Sequence, residues 1–248
     1  MNLSKISVAV LMFVTLMTAS SFGATCTIAS LKGVYGILGS GLNGSGQPAA
    51  SVTQITSDGN GNLTGTTTKS IDGTIATFTT TGTYSIAKNC TGSGTLTNQD
   101  AQSESSNIFL NNGNKGAFLI QTDPNHTVSS VAYTQGTATC TNLGVKHTYS
   151  FEATGIYLSV GQIAAAGQFV LNGTGTLKGT ATFSLNGSIA TLPVTGTYQI
   201  NSNCTGTLTF TPQGQSAVNL GVVVVNADKE LMFIETDANT IVSGTLQE

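Results

Sequence analysis

Charged residues are scarce in this chain, and arginine is absent. Asp, Glu, Lys and Arg make up 8% of the 248 residues, every basic residue other than histidine is a lysine, and the formal net charge is -3. A nucleic-acid-binding surface needs a cluster of positive charge that follows the phosphate backbone. The composition therefore argues against nucleic acid as a partner.

Long apolar runs are also absent after the N-terminus. A mainly apolar run covers residues 6–17, Lys5 precedes it, and small residues follow as far as Ala24. This order is typical of a secretory signal peptide, and the run is shorter than the roughly 20 residues that a membrane-spanning helix needs. We expect residues 1–24 to be a cleaved signal peptide, with an uncleaved anchor as the alternative. The mature chain is then secreted to the periplasm, the cell surface or the medium, without a transmembrane segment.

Histidines and paired acids, the usual agents of acid–base catalysis, are few. His126 and His147 are the two histidines, and their counterparts in the sequence repeat described below are Thr240 and Gly33. Asp123 recurs as Asp237, but a glycosidase-like pair of carboxylates is not present in both copies. We therefore predict no catalytic residue and no cofactor, and hydrolase activity is a remote alternative.

The chain after residue 24 is one unit written twice. Residues 73–97 and 187–211 are identical at 15 of 25 positions, at an offset of 114 residues. The same offset places Cys26 on Cys140 and Cys90 on Cys204 without a gap. Each unit has the size of an ordinary domain. The repeat predicts one domain over residues 25–134, a linker over 135–139 and a second domain over 140–248.

The four cysteines are predicted to form disulfides. An even number of cysteines in an exported chain is typical of disulfide bonding, whereas a zinc site would need a C-x-x-C pair or paired histidines that this sequence lacks. Of the three possible pairings we favour Cys26 with Cys90 and Cys140 with Cys204, because each copy then closes its own loop. No metal site is expected.

Both units are predicted to be all-β. Threonine, valine, isoleucine and tyrosine suit strands, and the frequent glycine and asparagine suit turns. Alternating apolar residues between turn signals predict eight strands per unit, with a glycine-rich loop over residues 39–47 between the first two. Strands joined by short turns are antiparallel neighbours, which predicts an eight-stranded up-and-down β-barrel in each unit. A two-sheet β-sandwich is the alternative.

Several short motifs resemble those of a group of secreted bacterial β-proteins with no known activity. The motifs are Asp58-Gly-Asn-Gly-Asn-Leu-Thr-Gly65, Thr81-Gly-Thr-Tyr84, Asn89-Cys-Thr-Gly92 and Ile120-Gln-Thr-Asp123. The second unit repeats the last three near Tyr198, Cys204 and Asp237. The opening Leu31-Lys-Gly-Val-Tyr35 is also similar to the first strand of lipocalin- and avidin-like (calycin) barrels, with tyrosine in place of tryptophan. These resemblances imply export and a barrel fold, and they imply no activity.

A ligand cavity is the remaining functional prediction. Small residues at inward positions, such as Gly33, Gly65, Thr80 and Gly82, leave room inside a barrel or fill its taper. The candidate ligand-binding residues are Tyr35, Tyr84, His147, Tyr149 and Tyr198. We expect a secreted, non-enzymatic binding protein that takes a small molecule, or a carbohydrate-like ligand such as a surface glycan, at a barrel mouth. A structural or adhesive protein with solid barrel cores is the alternative.

Overall fold

The computed structural model describes residues 25–111 and 115–248. The predicted signal peptide over residues 1–24 lies outside the described residues. Within the described ranges, no helix is long and apolar enough to span a bilayer.

The first unit folds into a closed barrel of eight antiparallel strands. Each strand pairs with the next along the chain, and β8 returns to pair with β1. The strands are β1 (Gly33–Leu42), β2 (Pro48–Ser57), β3 (Asn62–Ile71), β4 (Thr74–Ile86), β5 (Thr91–Asn98), β6 (Ser103–Asn111), β7 (Gly116–Gln121) and β8 (Ser129–Thr134).

The second unit repeats the same closed barrel, with β9 and β16 as the closing pair. Its strands are β9 (Thr148–Tyr157), β10 (Gly161–Leu171), β11 (Thr176–Leu185), β12 (Ser188–Ile200), β13 (Thr205–Pro212), β14 (Val218–Val225), β15 (Glu230–Glu235) and β16 (Thr240–Gln247). The predicted tandem of all-β barrels is confirmed, and the sandwich alternative is wrong, because the first and last strands of each unit are hydrogen-bonded to each other.

The predicted loop over residues 39–47 is too long. Strand β1 continues to Leu42, which pairs with Pro48, so the glycines at 39 and 41 lie within the strand. The remaining turn is short and is held by Asn43, whose Oδ1 accepts hydrogen bonds from the backbone N–H groups of Ser45 (3.0 Å) and Gln47 (2.9 Å). Glycine composition predicted a loop here, but pairing with two neighbouring strands keeps the chain extended.

A segment that precedes the first strand caps one end of each barrel. In the first barrel a 3-10 turn over Ile28–Leu31 buries Leu31, and the Cys26–Cys90 disulfide joins this segment to the β4–β5 turn. The Cys140–Cys204 disulfide does the same in the second barrel. The predicted pairing within copies is therefore confirmed. The opposite end of each barrel has no equivalent segment of chain among the described residues.

The two barrels pack side by side through the outer surfaces of their strands. Ala50 and Val52 of β2 contact Val223, Met232 and Ile234 of the second barrel in a shared apolar cluster. Polar contacts border this cluster: the Ser70 hydroxyl donates to the Thr240 carbonyl (2.6 Å), and the Asn239 N–H donates to the Gly73 carbonyl (2.9 Å). The barrels are therefore fixed to each other by packing as well as by the linker.

Candidate functional site

The first barrel encloses an apolar cavity. Its volume is about 60 Å³, whereas a cavity needs roughly 10–15 Å³ to hold a single water. The space therefore holds several water molecules or a small organic group. The lining residues are Leu31, Tyr35, Ile37, Ile55, Ser57, Leu63, Gly94, Leu96, Glu104, Ser106, Ile108, Ala117, Leu119 and Ala132.

The cavity exists because inward side chains of the first barrel are smaller than their counterparts in the second. Nine of the fourteen lining residues are replaced by a larger residue at the offset of 114. The replacements are Ile37 by Phe151, Ile55 by Phe169, Ser57 by Leu171, Gly94 by Leu208, Leu96 by Phe210, Ser106 by Leu220, Ala117 by Leu231, Leu119 by Phe233 and Ala132 by Leu246. The same arrangement of strands thus surrounds a hollow interior in the first barrel and a filled interior in the second.

The interior of the second barrel is solid where the first is open. The rings of Phe151 and Phe169 stack with their centroids 4.4 Å apart. The ring centroids of Phe169 and Phe210 are 5.3 Å apart. Leu231 and Leu246 are fully buried in the same cluster. Close packing of this kind excludes a ligand. Of the two barrel interiors, only that of the first has space for a ligand.

One polar atom in the cavity wall has no hydrogen-bond partner among the described residues. Ser57 is 3% exposed, and its hydroxyl makes no hydrogen bond with any described residue. Burial of a hydroxyl without a hydrogen bond costs roughly 1–3 kcal/mol, which is why such groups are usually paired. The Ser57 hydroxyl can therefore form a hydrogen bond with a water or with a polar group of a ligand.

Other buried hydroxyls of the first barrel are paired with one another. Thr53 and Thr67 are 2.9 Å apart at their Oγ1 atoms, and Thr67 and Thr80 are 3.2 Å apart. All three side chains are buried, and their counterparts in the second barrel are Gly167, Ala181 and Val194. This chain of hydroxyls makes the interior of the first barrel more polar than that of the second, but leaves Ser57 unsatisfied.

Tyr35 is the one candidate from the sequence that lines the cavity. It is buried, and desolvation, with a smaller contribution from Tyr84, raises the pKa of its phenol above the ordinary value. The side chain therefore stays neutral, and it can offer a ligand an aromatic ring and a polar hydroxyl, but no charge.

The other four candidates lie at the capped ends of the barrels, where most of them bond to backbone. Tyr84 donates to the Ile28 carbonyl (3.0 Å) and Tyr149 to the Asp228 carbonyl (2.6 Å). Tyr198 donates to the Asn142 carbonyl (3.2 Å) and accepts from the Gly173 N–H (2.7 Å). His147 packs edge-on against Tyr149, with its Nδ1 3.1 Å from a Glu248 carboxylate oxygen. The Tyr84 and Tyr198 contacts hold the capping segments in place, and the Tyr149 contact joins β9 to the turn between β14 and β15.

The inward glycines singled out from the sequence do not create the cavity. A Cβ built on Gly65 would lie 2.0 Å from the Gln54 carbonyl oxygen, and one on Gly82 would lie 2.1 Å from that of Thr95. These glycines allow neighbouring strands to approach closely as the sheet curves. The residues that do open the space, such as Gly94, Ala117 and Ala132, were missed by sequence reasoning. Comparing side-chain size between the two copies would have found them.

An ion pair lies at the uncapped end of the cavity. Glu104 lines the cavity and pairs with Lys69, whose side chain is only 14% exposed. The two residues belong to β6 and β3, which are not neighbours in the barrel. The contact therefore crosses the open end of the interior instead of running along one surface. In the second barrel the same positions hold Phe183 and Val218.

Two acids of the second barrel lie close together, buried Glu235 at the end of β15 and half-buried Asp237 in the turn that follows. Glu235 is 4% exposed, its Oε2 accepts a hydrogen bond from the Tyr157 hydroxyl (3.2 Å), and burial raises its pKa to about 7. Asp237 is bound by the backbone and side-chain N–H groups of Asn219 at 2.8 and 2.7 Å. Among the described residues, no three His, Cys, Asp or Glu side chains are grouped as a metal site would require.

Comparisons with known proteins give only distant similarity. No protein-family model matches the chain, and no curated protein matches its sequence. Among solved structures, the chain is similar to the isotype 1 transferrin binding protein B of Neisseria meningitidis serogroup B, with 8% identity, a TM-score of 0.37, and coverage of 81% of this chain and 64% of that one. It is also similar to kievitone hydratase of Nectria haematococca, with 8% identity, a TM-score of 0.31, and coverage of 92% and 94%. These likenesses are too distant to support an argument about function.

Proposed function

We propose that this chain is a secreted, non-enzymatic binding protein whose first barrel takes a small, largely apolar molecule that carries one polar group. The observation that carries this proposal is the difference between the copies. Nine cavity positions of the first barrel hold smaller residues than the second, while the capping disulfide and the strand plan are the same in both. The second barrel is a solid structural partner.

The lining favours an apolar ligand over a carbohydrate. Most of the wall is leucine, isoleucine and alanine, and the Tyr84 hydroxyl at the capped end is bonded to a backbone carbonyl. A sugar would bury many hydroxyl groups against this wall without partners, which is unfavourable. One hydroxyl or carbonyl on the ligand is accommodated, because the Ser57 hydroxyl has no partner within residues 25–111 and 115–248.

The absence of a catalytic role is part of the proposal. Among the described residues, the cavity wall contains one carboxylate, Glu104, which is paired with Lys69, and no histidine. The Ser57 hydroxyl therefore has no histidine beside it to act as its base, and the wall offers no second acid to complete a catalytic pair.

The test uses straight-chain primary alcohols of increasing length as probes. Binding is followed through the methyl NMR signals of Ile55 and Ile108, which line the cavity. Each added methylene should tighten binding about fourfold, in line with about 0.8 kcal/mol per buried CH2, until the cavity is full. The signals of Leu231 and Leu246 in the second barrel should not move.

The matched control is a first barrel filled like the second, with Ala117→Leu and Ala132→Leu. This variant should fold and lose binding of the longer alcohols. Two results would overturn the proposal: the alcohols leave the Ile55 and Ile108 signals unchanged in the unmodified protein, or they shift the signals of both barrels equally.

A further inference from the structure

The contact between the two barrels joins two different faces. We call the outer surface of β14 and β15, with the following turn, the docking face of the second barrel; it includes Val223, Met232, Ile234 and the turn at Asn239 and Thr240. We call the outer surface of β1 to β3 the receiving face of the first barrel; it includes Gly36, Ala50, Val52, Ser70 and Gly73. Since the barrels are copies, each chain also carries a second docking face and a second receiving face.

The second docking face, on the first barrel, is apolar and exposed. At the offset of 114, Val223, Met232 and Ile234 correspond to Phe109, Phe118 and Ile120, which are 44%, 52% and 40% exposed. Phe109 and Phe118 are partners across β6 and β7.

This patch is continuous with the interface already formed. Phe118 is paired with Val131 of β8, and Val131 packs in the cluster between the barrels. Adjacent large apolar groups on a surface mark an interaction site more often than isolated ones do.

The second receiving face, on the second barrel, is open. Its residues Ala164, Ser184 and Gly187 line a surface depression. Their counterparts in the first barrel are Ala50, Ser70 and Gly73, which the second barrel covers.

The two glycines show the difference directly. A Cβ built on Gly73 would lie 2.4 Å from the Asn239 Cα, whereas a Cβ built on Gly187 meets no described atom within 4 Å. The depression therefore has the form of the place that the turn at Asn239 and Thr240 occupies on the first barrel.

The polar contacts of the interface can also repeat. Asn125 corresponds to Asn239, and both have a φ of 63°. Ser184 corresponds to Ser70. The Asn125 N–H of one chain can therefore bond the Gly187 carbonyl of another, as Asn239 bonds Gly73 within the chain.

Size differences on the two free faces complement each other at β10. The free docking face is bulkier than its copy, with phenylalanine at 118 in place of Met232 and at 109 in place of Val223. The free receiving face is smaller at the facing strand, with Ala166 in place of Val52. The larger side chains of the free docking face thus meet a smaller side chain on β10.

We propose that a second copy of this chain occupies the exposed patch, so that chains associate head to tail. The first barrel of one chain places Phe109, Phe118 and Ile120 on the Ala164, Ala166 and Ser184 surface of the next chain. This contact is heterologous, and it extends into a filament unless the rotation between chains closes a ring.

Three differences make the contact between chains weaker than the one within the chain. Glu152 replaces Leu38, so the free receiving face is more polar than its copy. Ser150 replaces Gly36, where a Cβ would lie 2.5 Å from Val225 and 2.9 Å from Val223, so the two chains must meet slightly displaced from the arrangement within the chain. The contact between chains also lacks the linker that holds the two barrels of one chain together. We therefore expect reversible association that increases with protein concentration.

The experiment uses the full chain and two surface variants. Phe118→Asp blocks the free docking face, and Ala166→Arg blocks the free receiving face, with Ser184→Lys as a second variant of that face. Leu143→Asp is the matched control, because Leu143 is 68% exposed in the segment before β9, outside both faces. Sedimentation velocity and light scattering over a concentration series report the mass, and circular dichroism checks that each variant is folded.

The expected results are specific to head-to-tail contact. The unmodified protein and Leu143→Asp should increase in mass with concentration without stopping at a dimer, or should stop at one closed ring. Phe118→Asp and Ala166→Arg should each stay monomeric. An equimolar mixture of these two should form a dimer and nothing larger, because one intact docking face meets one intact receiving face.

Three outcomes would overturn the proposal. A monomer at every concentration rules out self-association. Dimers of Ala166→Arg and Ser184→Lys that disappear in Phe118→Asp mean that two docking faces meet each other. Association that none of the variants changes places the contact elsewhere on the surface.

Discussion

Ser57 of the first barrel and Leu171 of the second occupy the same inward position, 114 residues apart. Only Leu171 is surrounded there by side chains of its own apolar character. Leu171 is 1% exposed within a packed apolar cluster, whereas the buried Ser57 hydroxyl faces a cavity without a hydrogen-bond partner. The pair summarises how the duplicated barrels have diverged. One has become a filled support, and the other keeps space and a polar group inside it.

Removal of the Ser57 hydroxyl should not destabilise the folded protein. We expect Ser57→Ala to leave the free energy of unfolding unchanged or to raise it by about 1 kcal/mol, because an unpaired buried hydroxyl is lost. Thr67→Val is the contrast: it removes the hydroxyl between Thr53 and Thr80 and should lower stability by about 1–3 kcal/mol. Urea unfolding measures both. A larger loss for Ser57→Ala than for Thr67→Val would show that Ser57 is paired in solution.

Filling and emptying the two interiors should have opposite effects. Ala132→Leu adds a side chain where the first barrel has space, so we expect stability to stay level or rise. Leu246→Ala at the equivalent position of the second barrel should lower stability by about 2–5 kcal/mol, because it opens a cavity in a packed core. Thermal unfolding of the two variants makes the comparison. Equal destabilisation by both changes would mean that the first barrel is as tightly packed as the second.

The buried carboxyl of Glu235 should make the protein less stable as pH rises. Its pKa is about 7 in the folded state, against an ordinary value of 4.5. Below pH 4.5 both states hold the proton; between 4.5 and 7 the unfolded state releases it while the folded state keeps it, so stability falls across that window and then levels off. A shift of this size corresponds to on the order of 3 kcal/mol.

The variant Glu235→Gln tests this pH dependence, and the first barrel already has glutamine, Gln121, at the equivalent position. We expect the variant to be more stable than the unmodified protein at pH 8 and to lose that advantage near pH 4. Glu152→Gln, an exposed acid on β9, serves as the control. Urea unfolding at a series of pH values supplies the data. An unchanged slope between pH 4.5 and 7 in Glu235→Gln would assign the pH dependence to another group.

The Lys69–Glu104 pair should control access to the cavity more than it controls stability. The glutamate is 45% exposed on its side chain, and pairs of this kind contribute about 0–1 kcal/mol. Lys69→Met should therefore change the free energy of unfolding by less than about 1 kcal/mol, but speed alcohol exchange by opening the uncapped end. NMR line-shape analysis of the Ile55 methyl signal gives the exchange rate. A rate that stays constant while binding is retained would place the entry path elsewhere.

Several features of the fold were predictable because each depends on a local pattern. Alternating residues with turn signals located the strands, and the offset that carries Cys26 onto Cys140 pointed to pairing within each copy. Other features depend on which strands lie beside a segment in the folded barrel. Strand β1 extends through Gly39 and Gly41 because β2 pairs with both residues and β8 pairs with Gly39, whereas glycine composition alone indicated a loop.

The candidate site was only partly predictable. Of the candidate ligand-binding tyrosines, Tyr35 lines the cavity, but Tyr84 and Tyr198 bond to the backbone of the capping segments. The sequence contains the size differences at Gly94, Ala117 and their copies. Their effect becomes visible only when strands far apart along the chain surround one common space.

The sequence by itself determined that the chain is a duplicated, disulfide-linked β unit, because strand alternation, turn residues and cysteine spacing are written along the chain at fixed intervals. The tertiary structure decided which barrel is hollow and which outer faces meet. Both depend on the summed volume of side chains from many strands and on surfaces that come together only after each barrel has closed. Val52 and Ile234, for example, are far apart in the chain and meet because two separate sheets pack against each other.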